Sequence, residues 1–282
     1  MTNINVKNTI ASTLHELGIE WIRKFEEKDP QFLAIKRLCD VTHDLGVTLK
    51  LTILNALISY QLTGKGEDHW NYFANYFISN KPSDLCRDFT NYTMSSKYLA
   101  RYKASRIKRI NTVCPKLIKL DLTDYIKDLV KLWRLINEIV GGSGDEKTIV
   151  FSVKMAYYVS RTCGHSIEVP MEIPIPVDYR VTVITICSGL ININNEKSAT
   201  ELAKEIMIKR KKEIQEIWSD IAKSSGVPPL NLDSVVWVLG GLLINSYFNI
   251  NEAINKLRQF GIPINDGVVR LLHLLSGRCI AR

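Results

Sequence analysis

Apolar residues recur along this chain at intervals of three and four, the spacing that places them on one face of a helix. Residues 8–27 carry this pattern at Ile10, Leu14, Trp21, Ile22 and Phe25. The stretch VTLKLTILNALISYQL begins with β-branched residues, but its length and its apolar spacing favour a buried helix over a strand. The sequence contains no series of alternating strand residues and no hairpin dipeptide between two such series. The pattern therefore predicts an all-α fold.

Three predicted helices carry recognisable start signals. Asp29 precedes Pro30, which suits an N-cap followed by the first helical position. Ser198 and Glu201 have the spacing of a capping box. Asp178 follows a loop with three prolines, which enforce an extended path, and it precedes YRVTVITICSGL. We interpret that stretch as a helix with Asp178 as its N-cap.

The length and composition are ordinary for a globular protein. The chain has 282 residues, of which 46% are apolar and 23% are charged. A chain of this length suits two modest lobes around a cleft. Its longest apolar runs fall short of the roughly 18 residues that a membrane span needs, and its start lacks the features of a signal peptide. We therefore expect a cytoplasmic protein with no membrane partner.

Basic residues outnumber acidic ones by 37 to 29, and they are concentrated in two clusters. The first cluster, residues 97–109, contains six lysines and arginines and no acid, and the second covers residues 209–212. Such an excess is compatible with a polyanionic partner such as nucleic acid. From the first cluster we expect Arg106 and Lys108 to contact a DNA backbone. A solvated helix face is the alternative explanation for both clusters.

The cysteines and histidines do not form a metal-binding pattern. No two of the six cysteines lie closer than 24 residues, there is no C-x-x-C pair, and the five histidines are scattered singly. We therefore expect no metal and no cofactor. We also expect buried free thiols at the cysteines and a surface position for His69.

Residues 140–155, VGGSGDEKTIVFSVKM, contain the main candidate for chemistry. A glycine hairpin between two predicted helices places backbone N–H groups, including those of Gly142 and Gly144, beside a helix N-terminus. That arrangement suits a nucleic-acid phosphate. Lys147 falls in the first turn of the second helix, and the residues four and seven positions later share its face. On spacing alone, a lysine that only touches phosphate, with Phe151 in the core, is the simpler interpretation.

The segment GGSGDEKTIVFSVKM, together with PIPVDYRV downstream, resembles the helix–hairpin–helix DNA glycosylases. It is more narrowly similar to the archaeal GO glycosylases (AGOG), which excise 8-oxoguanine. The hairpin lacks the proline of the general pattern and is one residue longer. Asp178 follows Lys147 by 31 residues, a longer gap than most branches show and the gap of the archaeal branch. The resemblance implies an all-α helix–hairpin–helix glycosylase fold with two helical subdomains flanking a cleft.

Within that fold we expect a single glycosylase unit over residues 1–282, acting as a monomer. One helical bundle would cover 45–150 and end in the hairpin, with the helix–hairpin–helix itself at 124–161. The second subdomain would combine 1–44 with 162–282.

The resemblance also implies a catalytic pair, with Lys147 as the nucleophile and Asp178 as its acidic partner. Glycosidic cleavage passes through a cationic sugar, which a carboxylate stabilises. An amine that attacks C1′ forms a Schiff base, and β-elimination then cuts the strand. The implied enzyme is a bifunctional glycosylase and AP lyase that flips 8-oxoguanine out of double-stranded DNA.

The same resemblance implies a base-binding pocket. Its residues would be Gln31, Trp70, Phe151, Lys154, Asp233 and Trp237, of which Gln31 and Trp70 rest on short matches. Two alternatives remain open at this point. One is a non-catalytic DNA-binding protein that keeps the hairpin for phosphate contact, and the other is a glycosylase for a different base, such as an oxidised pyrimidine or uracil.

Overall fold

The computed structural model describes residues 3–193 and 197–280. Within these residues the chain forms fourteen α-helices, α1–α14, and two short 3-10 helices, so the all-α prediction is confirmed. The helices belong to two compact units. We call residues 30–170 the central unit, and residues 1–29 together with 171–282 the terminal unit.

The central unit is built around two buried helices. Its helices are α2 (Pro30–Thr42), α3 (Leu45–Ile58), α4 (Gly66–Ser79), α5 (Leu85–Ser95), α6 (Lys103–Leu117), α7 (Leu129–Val140) and α8 (Lys147–Thr162), with 3-10 helices at Lys97–Leu99 and Tyr125–Lys127. Helices α3 and α8 pack against each other, and α2 packs on α4 and α8. All residues from Thr148 to Ser160 are buried. The core of this unit therefore holds α8 from its first turn onward.

The terminal unit combines α1 with the C-terminal helices. These are α1 (Ile4–Glu26), α9 (Tyr179–Cys187), α10 (Ala199–Lys209), α11 (Lys211–Ser225), α12 (Pro229–Asn245), α13 (Ile250–Gln259) and α14 (Asp266–Ser276). Helix α1 bends at Gly18 and packs on α11, α12 and α14, while α9 packs on α10 and α12. No single described helix is long and apolar enough to cross a membrane, although α11 and α12, bent by 108° at their junction, meet that test as a pair.

The boundaries of the two units differ from the expected subdomains, 45–150 and 1–44 with 162–282. Helix α2 lies in the central unit because it packs on α4 and α8. A disulfide between Cys39 in α2 and Cys163 at the end of α8 also joins these elements. The end of α8 therefore stays in the central unit as well.

The predicted starts of α9 and α10 are confirmed by their caps. Ser198 and Glu201 form a capping box at the start of α10. The Asp178 carboxylate accepts a hydrogen bond from the backbone N–H of Val181 at 3.0 Å and caps α9. Helix α2 begins at Pro30. The sequence therefore located the starts of α9 and α10 through side chains that satisfy the first N–H groups of a helix, and the start of α2 through the proline at its first position.

The prediction of free thiols is wrong, because all six cysteines are paired. Besides Cys39 and Cys163, the pairs are Cys86 with Cys114 and Cys187 with Cys279. Each pair joins residues of one unit. The partners are separated by 124, 28 and 92 residues, so short-range spacing in the sequence could not indicate the pairing.

Candidate active site

The turn between α7 and α8, residues 141–146, is held in a defined conformation. Helix α7 ends at Gly141, which has φ +74° and donates its N–H to the carbonyl of Asn137 at 2.8 Å. Gly144 also has a positive φ, +92°. The indole Nε1 of Trp133 donates to the Gly144 carbonyl at 2.7 Å. The glycine turn is therefore fixed to α7 by backbone and side-chain hydrogen bonds, and glycine supplies the left-handed conformations.

The carboxylate of Glu146 lies against this turn. Its Oε1 accepts the N–H of Ser143 and its Oε2 accepts the N–H of Gly144, each at 2.8 Å. Partial burial by itself raises the pKa of Glu146. Backbone hydrogen bonds, first that of Ser143 and also that of Gly144, outweigh burial and hold the pKa below its usual value.

The expected amide–phosphate contact at Gly142 and Gly144 therefore needs a correction. The Gly144 N–H donates to Glu146, and the Gly142 N–H donates to the carbonyl of Asn137 at 3.3 Å. Both amides are satisfied within the protein in this conformation. The sequence did not indicate this, because the two acceptors, the Glu146 carboxylate and the Asn137 carbonyl, belong to the hairpin itself and to the helix before it.

Lys147 is the first residue of α8 and is partly exposed. Its ammonium nitrogen lies 5.5 Å from the ring centroid of Phe151, one turn later on the helix. The edge of Trp70 packs on Phe151, with centroids 5.9 Å apart and planes at 79°. The structure thus brings three of the residues named from the sequence into one cluster in the central unit.

Two further predicted residues are buried in the same unit. Lys154 lies two turns into α8, is 1% exposed, and has its ammonium nitrogen 5.2 Å from the ring centroid of Tyr158. Gln31, the second residue of α2, is 5% exposed. Helix α2 packs on α8, so the helix that carries Gln31 is adjacent to the helix that carries Lys154.

His69, which precedes Trp70, does not occupy the predicted surface position. It is fully buried, and its Nε2 lies 3.0 Å from the hydroxyl oxygen of Ser59. Burial, with a smaller contribution from the charge of Arg106, lowers the pKa of His69 from 6.5 to about 3. His69 is therefore a neutral core residue beside Trp70.

The terminal unit holds the other predicted residues. Asp178 is partly exposed, and the cap of α9 uses its Oδ1. On α12, Asp233 is 3% exposed and Trp237, one turn later, is half-buried. The spacing of Asp233 and Trp237 on one helix is as the sequence predicted, and all three residues belong to the terminal unit.

The guanidinium of Arg180 covers one face of Trp237. Its central carbon lies 4.0 Å from the indole centroid, which is a cation–π contact. A Cβ added at Gly241 would lie 3.1 Å from the Arg180 guanidinium. Arg180 was not among the residues predicted from the sequence. The available signal was the glycine pair that follows Trp237, since small residues on α12 leave room for a neighbouring side chain.

The prediction that Arg106 contacts a DNA backbone is wrong. Arg106 is fully buried, and its guanidinium donates to the carbonyls of Ile58 at 3.0 Å, Leu99 at 3.3 Å and Tyr60. Lys108 is exposed, so it stays a candidate for that contact. The sequence could not separate the two because they lie two positions apart in the same basic cluster.

Comparison with known proteins places this chain in a family. The family model AGOG, described as N-glycosylase/DNA lyase, matches residues 11–269. The N-glycosylase/DNA lyase of Pyrobaculum aerophilum is 40% identical over 236 residues, 82% of this chain and 84% of that protein. The corresponding protein of Thermococcus kodakarensis is 36% identical over 248 residues, 85% of this chain and 86% of the other.

A solved structure agrees with these relatives. It is the crystal structure of 8-oxoguanosine complexed Pa-AGOG, an 8-oxoguanine DNA glycosylase from Pyrobaculum aerophilum. The two chains align with a TM-score of 0.79 and 34% identity over 99% of each. The resemblance found in the sequence is therefore confirmed, and this chain belongs to the AGOG family of N-glycosylase/DNA lyases.

Proposed function

We propose that this protein removes 8-oxoguanine from double-stranded DNA and then cuts the strand at the resulting site, acting as a monomer. Membership of the family gives the glycosylase and lyase class, and the bound ligand of Pa-AGOG supports the choice of base. The observation that carries the proposal is the position of Lys147. It stands at the first turn of α8, beside Phe151 and directly behind the glycine turn.

Lys147 is proposed as the nucleophile. Its neutral amine attacks C1′, the bond from C1′ to N9 breaks, and the base leaves with that electron pair and takes up a proton. The amine and C1′ then form a Schiff base as the sugar ring opens. Loss of a proton from C2′ expels the 3′ phosphate by β-elimination.

Asp178 is proposed to stabilise the cationic sugar that forms as the base departs. An aspartate at an N-cap is held by its own helix, which fixes the position of the charge. Its Oδ1 accepts one hydrogen bond from Val181, so the cap leaves the second carboxylate oxygen for this purpose.

The base-recognition roles are proposed for six residues. Phe151 and Trp237 offer aromatic rings for stacking on an extruded base, and the buried Trp70, which packs edge-on against Phe151, would complete the pocket. Gln31 provides both a donor and an acceptor, Asp233 provides acceptors, and Lys154 provides donors. 8-Oxoguanine carries a hydrogen on N7 that guanine lacks. If guanine is bound, a buried acceptor placed for that N7–H has no donor, which costs roughly 1–3 kcal/mol. This corresponds to about a 5- to 150-fold preference for 8-oxoguanine over guanine.

Borohydride trapping tests the nucleophile. Incubation with duplex DNA containing 8-oxoguanine and reductant is expected to give a covalent adduct with the wild type and with Lys108→Gln, and none above background with Lys147→Gln. The same duplex with uracil or an oxidised pyrimidine in place of 8-oxoguanine is expected to react far more slowly. An adduct that survives Lys147→Gln, or equal rates on all three bases, would contradict the proposal.

The variant Asp178→Asn extends this experiment to the carboxylate. Asparagine caps a helix about as well as aspartate, so the fold is expected to persist while the charge is lost. Base release should slow by about 100-fold or more, with the Kd for lesion-containing duplex nearly unchanged. Equal losses in base release and in binding would show that Asp178 acts only as a cap.

A further inference from the structure

The glycine turn contains a concave anion site that a residue of the turn itself fills. Successive backbone N–H groups that point to one side form such a site for an anion. Here the N–H groups of Ser143 and Gly144 each donate to one oxygen of Glu146 at 2.8 Å. Hydrogen bonds to an ionised acceptor are stronger than neutral ones, so Glu146 fixes both amides in one orientation.

Gly142 makes room for this carboxylate. A Cβ added at this position would lie 2.7 Å and 2.9 Å from the two Glu146 oxygens, and 2.7 Å from Cδ1 of Ile149. The φ angle of Gly142 is outside the left-handed region, so backbone conformation does not require glycine there. A side chain at position 142 would therefore have to displace the Glu146 carboxylate and the end of the Ile149 side chain.

The backbone of Glu146 also begins α8, the helix that carries Lys147. The Glu146 carbonyl accepts the N–H groups of Ile149 at 3.0 Å and Val150 at 3.1 Å. The side chain of one residue therefore closes the glycine turn, while its carbonyl begins α8. Lys147 is the next residue in the chain, so the direction in which its side chain leaves the backbone depends on both contacts.

We propose that Glu146 is a positioning residue that fixes the backbone from which Lys147 projects, an inference that rests on the proposed function of Lys147. The carboxylate holds the turn in the conformation the reaction needs before DNA arrives. Such preorganisation matters because a small displacement of a nucleophile is costly in rate. Glu146 is therefore a permanent part of the turn, and DNA phosphate does not replace it.

Three variants test this contact from both sides. Glu146→Ala removes the carboxylate. Glu146→Gln keeps one acceptor and places an amide N–H₂ against the other backbone N–H. Gly142→Ala places a Cβ where the carboxylate lies and displaces it from the two backbone N–H groups. Asp145→Asn is the control, because it removes one negative charge from the same turn while Glu146 keeps its bonds. Single-turnover trapping rates at saturating 8-oxoguanine duplex, the Kd for that duplex, and Tm are measured for each.

Glu146→Ala and Gly142→Ala are expected to lower the trapping rate by at least 10-fold with Kd changed by less than about 3-fold. Glu146→Gln should fall between them and the wild type, and Asp145→Asn should match the wild type. A wild-type trapping rate in both Glu146→Ala and Gly142→Ala overturns the inference, as does tighter DNA binding by Glu146→Ala at an unchanged rate. If the wild type itself forms no adduct, the proposed function fails and this inference falls with it.

Discussion

At the scale of single residues, the tautomer of His69 follows from its neighbours. The Ser59 hydroxyl donates to the carbonyl of Asn55 at 2.7 Å, so the His69 Nε2 3.0 Å away must carry the hydrogen and donate to Ser59. Nδ1 is then an acceptor, and it is buried without a hydrogen-bond partner in the described part of the chain. Protonation would place a charge in the core close to Arg106, which explains the lowered pKa.

This arrangement predicts a pH dependence of stability. The pKa of His69 is about 3 in the folded state, against 6.5 for an unperturbed histidine. Between these values the unfolded chain binds more protons, so the free energy of unfolding is expected to fall as pH drops from 6.5 towards 3. The slope attributable to His69 should approach about 1.4 kcal/mol per pH unit. Denaturant unfolding at several pH values measures it.

His69→Gln provides the matched comparison, because glutamine can donate to Ser59 and does not titrate in this range. Carboxylates contribute equally to both proteins, so the difference between the two curves isolates the histidine. Curves that run parallel from pH 7 to pH 4 would show that His69 is not protonated on unfolding.

Residue positions that depend on local spacing were predictable, and those that depend on distant partners were not. Phe151 follows Lys147 by one helical turn, and the two side chains are in contact as the spacing indicated. Arg106 is buried because carbonyls 46 to 48 positions away accept its N–H groups. Only the folded chain brings such groups together, so a buried arginine and an exposed one look alike in the sequence.

At the scale of elements, the arginines of α6 join the end of α3 to the start of α8. Arg106 donates to the carbonyls of Ile58 and Tyr60, and Arg109 donates to that of Leu57 at 2.8 Å. Arg109 also donates to the Thr148 hydroxyl at 3.2 Å. Leu57 and Ile58 lie in the last turn of α3, where carbonyls lack intrahelical partners and positive charge is favourable. Part of the basic cluster is therefore structural.

Arg106 and Lys108 should consequently respond to substitution in opposite ways. Arg106→Lys is expected to lower the free energy of unfolding by about 2–4 kcal/mol, because one ammonium cannot serve three separated carbonyls. Lys108→Ala should leave stability within about 0.5 kcal/mol. If Lys108 contacts phosphate, the substitution Lys108→Ala should also reduce the slope of log Kd against log salt concentration by about one. Denaturant unfolding and DNA binding at several salt concentrations measure both effects.

Two results would refute this division of roles. An Arg106→Lys protein as stable as the wild type would mean that the carbonyls do not depend on the guanidinium. An unchanged salt slope for Lys108→Ala would place that lysine in solvent, away from DNA.

The elements themselves were largely predictable because helix periodicity and caps are local properties. The β-branched stretch at α3 was correctly predicted as helix, and the stretch after Asp178 is α9. The unit boundaries were less predictable. They depend on whether α2 packs with α8 or with α1, and the helix pattern of α2 does not contain that information.

At the scale of the whole molecule, the disulfides constrain each unit separately. Two lie in the central unit and one in the terminal unit. A cross-link lowers the entropy of the unfolded chain more when it closes a longer loop. The loops span 124, 28 and 92 residues, which corresponds to roughly 3–5 kcal/mol each in the chain-entropy account.

Reduction is therefore expected to lower the stability of both units, and paired substitutions should rank by loop length. Replacing Cys39 and Cys163 by alanine should cost the most, and replacing Cys86 and Cys114 should cost the least. Guanidinium unfolding of each oxidised variant and of the oxidised wild type measures the total loss of stability. The same measurement under reductant is the matched control, because it gives the part of the loss that comes from packing.

Thiol titration of the denatured wild type should detect no reactive thiol before reduction and six afterwards. Six thiols before reduction would mean that the sulfurs are not bonded. If the losses of stability among the paired variants did not follow loop length, the disulfides would act on the folded state rather than on the entropy of the unfolded chain.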